Sequence, residues 1–421
     1  MGRTVKGRGK RYEPRPVQRI ELSEENKSKR AIASVLFLII GVALLVYCFV
    51  VFITPERGWT VIKADSTEND SYDFVFNYYL GADGGDTRAE NRSVTALYNR
   101  TAEKVSRLFD ENRDFDGIVN IHTLNGSPNA EFEVDEVLYK VFSLFSEYKS
   151  RYLYAAPIYS RYENLFYCDD DSLLSDFDPL ISEEVREEYK NTARYANDPA
   201  MVDLKLLGGN RVRLFVSEEY LSYAEKEGIT DFIGLSWLKN AFEIDYIADE
   251  MIRNGFTHGA VSSVDGFIRN FDRGSEFYAL NVFDGSGEEA YLAGSMNYRG
   301  ERAIVCMRSF PIRGGEERRY YVLDSGEIRS VYLDSEDGIP KNAVGSLISY
   351  SRGKSCGEVL LEIMDIYIAD SFDGSKLTCL ADEGIFSVYC EDDVIVYNDE
   401  ELTFGGLYKG DDKEYTLKLV E

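Results

Sequence analysis

Histidine is nearly missing: His122 and His258 are the only two in 421 residues. That scarcity excludes any mechanism that needs several imidazoles, a His-rich zinc centre among them. Tryptophan is equally rare, at Trp59 and Trp237. The six cysteines make no Cys-x-x-Cys pair, and no P-loop or Ser-His-Asp spacing is present to indicate another enzyme class. Basic residues are also short, 47 Lys and Arg against 74 Asp and Glu, for a net charge of −27. A field this acidic repels phosphodiester backbones, which proteins grip by neutralising phosphates, so nucleic acid is excluded as a partner. Chemistry has to rest on carboxylates, hydroxyls and backbone groups.

Apolar residues make up 44% of the chain, with 30 Tyr and 24 Phe, which is a globular composition able to fill one large core or two smaller ones. The charge is uneven. Residues 1–30 hold ten Lys or Arg and four Glu, a local +6, leaving −33 for the rest. Ala31–Thr54 then runs 24 residues without a charge. At about 1.5 Å per residue a helix of that length crosses a roughly 30 Å hydrocarbon core. We read it as a transmembrane signal anchor, too long for a signal-peptide apolar region and followed by no small-residue cleavage site. The basic cluster before it sets the orientation by the positive-inside rule. The expected layout is a cytoplasmic arm over 1–30, a plasma-membrane span over 31–54, a polar stalk over 55–72 and an extracytoplasmic domain over 73–421.

Beyond the stalk, Arg88–Asn112 repeats apolar residues at three- and four-residue steps and predicts a helix, as does Val134–Tyr148. Asn210–Val216 alternates as a strand, and Ser217–Glu227, closed by Gly228, reads as a capped helix. Leu238–Asn254 carries the clearest apolar stripe. After Gly259 strands dominate: Ala260–Ser262, Tyr278–Phe283, Ala303–Arg308, Arg319–Leu323, Val331–Asp334 and Ser346–Tyr350, interrupted by a helix at Gly357–Tyr367. Leu377–Leu380 and Ile385–Cys390 read as further strands, placing Cys379 and Cys390 out of register for a bridge. Buried thiols are the expected fate of the outer cysteines. Helices and strands are partly segregated, which points to α+β.

Several segments, in order over residues 73–400, resemble the ApbE family of extracytoplasmic flavin transferases. Phe109-Asp110, Phe115-Asp116-Gly117 and Thr123-Leu124-Asn125 are similar to the family's early pattern. Asn240-Ala241-Phe242-Glu243-Ile244-Asp245 aligns with K-G-Y-A-V-D, keeping the aromatic and the aspartate but losing the lysine and glycine, with Lys239 one place away. Val331-Tyr332-Leu333-Asp334-Ser335-Glu336-Asp337-Gly338-Ile339-Pro340 aligns with H-I-I-D-P-x-T-G-Y-P, with the histidine replaced by Val331. Gly357-Glu358-Val359-Leu360-Leu361-Glu362 falls on the family's magnesium motif A-D-x-L-x-T. The family's glycine pairs appear as Ser236-Trp237 and as Asp265-Gly266.

The resemblance implies an ApbE-like, T-fold-related α+β domain that transfers FMN from FAD to a Ser or Thr of an acceptor protein with Mg²⁺. It assigns the metal to Glu358 and Glu362, which share one helix face. It assigns acid–base work to Asp245 and Asp334, and nucleotide contact to Trp237, Phe242, Asp265, Gly266 and Gly338. Each segment also has a plainer reading. GEVLLEIMDIYIA is an ordinary amphipathic helix with its glutamates in water, Asp245 a helix-start cap or ion pair, and Asp334–Pro340 a turn. Trp237 either fills the nucleotide slot or stacks on the flavin ring. The lost motif residues keep open a catalytically inactive binding or scaffold protein of the cell envelope, and an unrelated surface protein.

Overall fold

A computed structural model describes residues 27–53, 56–63, 74–286, 289–312, 316, 318–410 and 413–420. Most of the basic arm and most of the stalk lie outside the described residues. The chain divides into two units, Met1–Pro55 and Glu56–Glu421. The first contains one helix, Lys27–Ile53, whose Ala31–Phe49 segment has a mean hydropathy of 2.8 and is a candidate membrane span.

The second unit is mixed α+β. Its main sheet has nine strands, in the order Gly58–Ile62, Phe74–Leu80, Gly259–Ser263, Phe267–Asn270, Arg302–Arg308, Ser346–Ser351, Ile385–Glu391, Val394–Tyr397 and Thr416–Leu419. Every neighbouring pair is antiparallel except the last, which is parallel. The first strand occupies part of the expected stalk, because Ile62 turns inward and the segment pairs with Phe74–Leu80.

One face of this sheet carries the helices Thr87–Leu108, Lys239–Arg253 and Cys356–Tyr367, which enclose the larger core. The other face packs against Phe277–Ser286, Glu289–Arg299 and Thr403–Gly405, with Ile304, Ile348, Tyr350, Val388 and Ile395 in a second core. Between the second and third strands of the main sheet runs a largely helical insertion with its own small sheet, Glu131–Glu133, Arg211–Val216 and Val202–Gly208.

Local chemistry explains the boundaries. Thr87–Leu108 starts where the Asp86 side chain accepts the Arg88 and Ala89 N–H groups, and it buries Val94, Leu97, Tyr98, Ala102, Val105 and Leu108. Ser217 caps Glu218–Glu227, and Gly228 ends it at φ +70°, a left-handed position that suits glycine.

Two expected strands are something else. Leu377–Leu380 lies in the helix Gly374–Asp382, capped by Asp373, because Leu377 and Leu380 bury one side at helical spacing. Cys379 is therefore exposed on a helix while Cys390 is buried in a strand, and all six cysteines are free. Around Val331–Asp334 the strand is Ile328–Ser330, after which Leu333 makes only an isolated bridge to Pro340. The intervening turn passes through Gly338 at φ +72°.

Candidate functional site

The amide of Asn125, fully inside the protein, fixes the loop that leads into the Lys239–Arg253 helix. Its Oδ1 accepts the Phe232 and Ile233 N–H groups at 3.0 and 3.1 Å, and its Nδ2 donates to the Ile233 carbonyl at 2.8 Å. Beyond this anchor the chain turns sharply: Leu235 is right-handed (φ −97°, ψ −28°), and Ser236, despite its Cβ, sits at φ +46°. The glycine-like backbone survives there without the glycine.

The N–H groups of Leu235 and Ser236 both point at one carboxylate. Glu111 Oε1 accepts them at 2.6 and 2.9 Å. A Cβ on Gly234 would lie 2.6 Å from Glu111 Oε2 and 2.9 Å from the Ala156 Cβ, so the missing side chain at Gly234 is what lets the carboxylate in. Burial pushes the Glu111 carboxyl up and Asp231 adds to this; the Ser236 and Leu235 N–H groups and Lys239 oppose it.

Glu111, Asp231 and Ser236 form one wall of a cleft of ≈ 360 Å³, with Tyr159, Glu163, Trp237, Lys239, Asn240, Asp265, Arg318, Arg319 and Val331 among the others that line it. The volume suits a small molecule. Trp237 is part-buried, edge-on to Tyr332 at 5.1 Å, and Tyr332 meets Tyr367 edge-on at 5.0 Å. Beneath Trp237, against Tyr152, Ala155 and Leu333, only ≈ 10 Å³ is left, so the indole closes the space behind it and presents itself to the cleft.

Asp265, 6% exposed, accepts Asn240 Nδ2 at 2.9 Å with Oδ2, while its Oδ1 has no hydrogen-bond partner among the described residues. Arg319 is in the same position: Nη2 reaches the Tyr332 hydroxyl at 3.5 Å, and Nη1 has no acceptor among the described residues. Burial works against the Arg319 charge, but Tyr320, Tyr332 and Asp265 outweigh it and hold the guanidinium above its ordinary value. Two residues that line one cleft thus keep a buried acceptor and a buried donor, both without a partner among the described residues.

Of the residues given a role in the sequence analysis, Trp237 and Asp265 meet in this cleft, together with the motif positions Phe109, Asp110, Ser236, Lys239, Asn240 and Val331. The other residues given a role are placed elsewhere. Phe242 packs on Phe145 and fills the space that a Cβ on Gly357 would need, at the crossing of two helices. Gly266 turns at φ +100° where a Cβ would lie 2.4 Å from the Cys306 carbonyl oxygen. Gly338 turns against Tyr189 and Ile158.

Asp245 accepts the Cys356 and Gly357 N–H groups at 2.9 and 2.8 Å, with Arg269 Nε 3.6 Å away. Burial raises it to about 6, against Arg269 and the two N–H groups. Asp334 binds Lys341 Nζ at 2.8 Å and receives the Glu336 N–H, so the two aspartates serve different turns. Glu358 closes a capping box with Ser355, whose N–H it accepts at 2.8 Å. Glu362 lies 3.5 Å from Lys354 Nζ.

The cleft and its support also contain residues absent from the sequence-based site. Glu111 lines the cleft and directly follows the Phe109-Asp110 match, and Gly234, which makes room for it, signals a tight approach before Leu235-Ser236; both are readable in the sequence. Arg319 lies outside every motif and reaches the cleft only through the tertiary fold.

No family model and no curated protein sequence matches the chain. Solved structures do. The ApbE protein of Thermotoga maritima superimposes with a TM-score of 0.53 at 13% identity, over 83% of this chain and 96% of that one. The flavin transferase ApbE of Vibrio cholerae gives 0.51 at 13% identity, over 83% and 97%. At this identity the likeness establishes the fold: the chain has an ApbE-like fold.

Proposed function

We propose that the chain is a membrane-anchored, extracytoplasmic ApbE-like binding protein, which holds an aromatic ligand in the Trp237–Arg319 cleft without transferring any part of it. One observation carries this reading. Asp265 and Arg319 both line the cleft, and each keeps one buried atom, Oδ1 and Nη1, without a hydrogen-bond partner among the described residues. A buried polar atom without a hydrogen bond is costly, even where Asp265 and Arg319 offset each other's charge, unless a ligand completes it. A ring with a donor beside an acceptor answers both atoms, and the face of Trp237 offers it a stacking surface. Flavin is the first such ring to test, given the fold.

The residues do not fit the magnesium chemistry of a transferase. Glu358 spends an oxygen on the cap of its own helix and Glu362 pairs with Lys354. No group of three His, Cys, Asp or Glu among the described residues is arranged to hold a metal. Nor do they fit a pyrophosphate at the helix-entry loop, since Glu111 already accepts the Leu235 and Ser236 N–H groups.

Active FMN transfer from FAD to an acceptor protein is the second reading. It is favoured by Lys239, Arg318 and Arg319, three cations lining the cleft. The two separate in one incubation: full-length protein in detergent micelles with FAD, Mg²⁺ and a Thr-containing acceptor peptide, analysed by mass spectrometry. An unmodified peptide is expected. A peptide carrying FMN contradicts the binding-protein reading.

A further inference from the structure

Two successive N–H groups in right-handed then left-handed backbone converge into a concave donor site that holds anions. Leu235 and Ser236 have that conformation, and the anion they hold belongs to the chain itself, Glu111. The fit is built in, because Gly234 leaves the carboxylate the room a Cβ would take. The structure assigns to Glu111 a specificity-determining role: its carboxylate occupies the place of a ligand phosphate, so the cleft refuses phosphorylated ligands, and removing the carboxylate opens an anion site.

The charges around Glu111 agree. Lys239 faces it as a cation, and Asp231, Glu163 and Tyr159 face it from the other segments of the cleft. His122 turns its Nδ1 to the Glu111 carbonyl, 3.1 Å away, and not to the carboxylate. A phosphate entering this site has to displace a carboxylate tethered beside it, which competes at high effective concentration. It also meets the negative charge of Asp231 and Glu163. Once the Glu111 carboxylate is gone, the same phosphate finds two free N–H groups and Lys239. The inference takes only the location of the cleft from the proposed function; it concerns anions and holds whether or not a flavin binds.

The test is a calorimetric titration of inorganic pyrophosphate into full-length wild type, Glu111→Gln and Glu111→Ala, all in detergent micelles. Wild type is expected to give no saturable binding, and Glu111→Ala to bind at least about tenfold more tightly, a difference of about 1.4 kcal/mol. Glu111→Gln keeps the single oxygen that takes both N–H groups while dropping the charge, so it preserves the loop, holds it more weakly and should fall between the two. Lys239→Ala added to either variant should weaken the gained binding. Pyrophosphate binding to wild type as tight as to the variants overturns the assignment. So does a Glu111→Gln protein with a native circular dichroism spectrum that gains none. A flavin titration is a separate experiment, so failure of the ligand reading and failure of this one are told apart.

Discussion

The carboxylate of Asp245 reaches across from one helix to hold the Gly357 N–H, at 2.8 Å, in the first turn of another. The same side chain takes the Cys356 N–H and faces Arg269, so it ties the Lys239–Arg253 helix, the Cys356–Tyr367 helix and the central sheet together. Asp245→Ala would leave two N–H groups without their acceptor and leave the part-buried Arg269 guanidinium with only Asp249 at 3.9 Å as its counter-charge. The expected loss of stability is about 3–5 kcal/mol, measured by urea unfolding, with Asp245→Asn between the variant and wild type.

The pH dependence of that contribution has a definite sign. Asp245 rises to about 6 in the folded protein, from an ordinary 3.8. The folded state therefore holds the proton more tightly, and what protonation contributes is fully present below about 4 and lost as pH rises through about 6. Urea midpoints of wild type and Asp245→Asn, followed from pH 4 to pH 7, should draw closer in favour of the variant as pH rises. A constant difference contradicts the assignment.

Glu358 and Glu362 yield a different expectation from the one their motif suggested. Glu358→Ala should cost about 1 kcal/mol, the worth of a capping interaction. Glu362→Ala removes a part-exposed ion pair and should change stability by about 0–1 kcal/mol. Magnesium binding, followed by calorimetry, should be the same in both variants as in wild type.

How far the sequence reached depended on where the information lay. The apolar stripe of Leu238–Asn254 and the Ser217 and Gly228 caps are local signals, and they marked those elements closely. Leu377–Leu380 is short, and its Leu377 and Leu380 spacing had no long periodic run to distinguish helix from strand. Trp237 and Asp265 flank features the eye finds, a lost glycine pair and a turn glycine. Arg319 reaches the cleft from a segment more than 80 positions from Trp237, and nothing in its neighbours announces the meeting; Glu111 is more distant still, but the Phe109-Asp110 match beside it marks its segment. The carboxylates of Asp245, Asp334 and Glu358 show the reverse: motif-like spacing whose oxygens go to backbone N–H groups and, for Asp334, also to Lys341.

Gly266→Ala should be felt at once. The new Cβ would sit 2.4 Å from the backbone oxygen of Cys306, at a φ of +100° that side chains avoid. A loss of about 1–3 kcal/mol is expected in urea unfolding, because backbone cannot move aside as a side-chain tip can.

The most direct measurement is a riboflavin titration of full-length protein in micelles, read by flavin fluorescence and repeated with Arg319→Gln and Asp265→Asn. Saturable binding to wild type, weakened at least about tenfold by each substitution, is the predicted result, as expected for losing a hydrogen bond to a charged partner. No saturable binding, or binding that neither substitution alters, contradicts the claim that the Trp237–Arg319 cleft is where this protein holds its ligand.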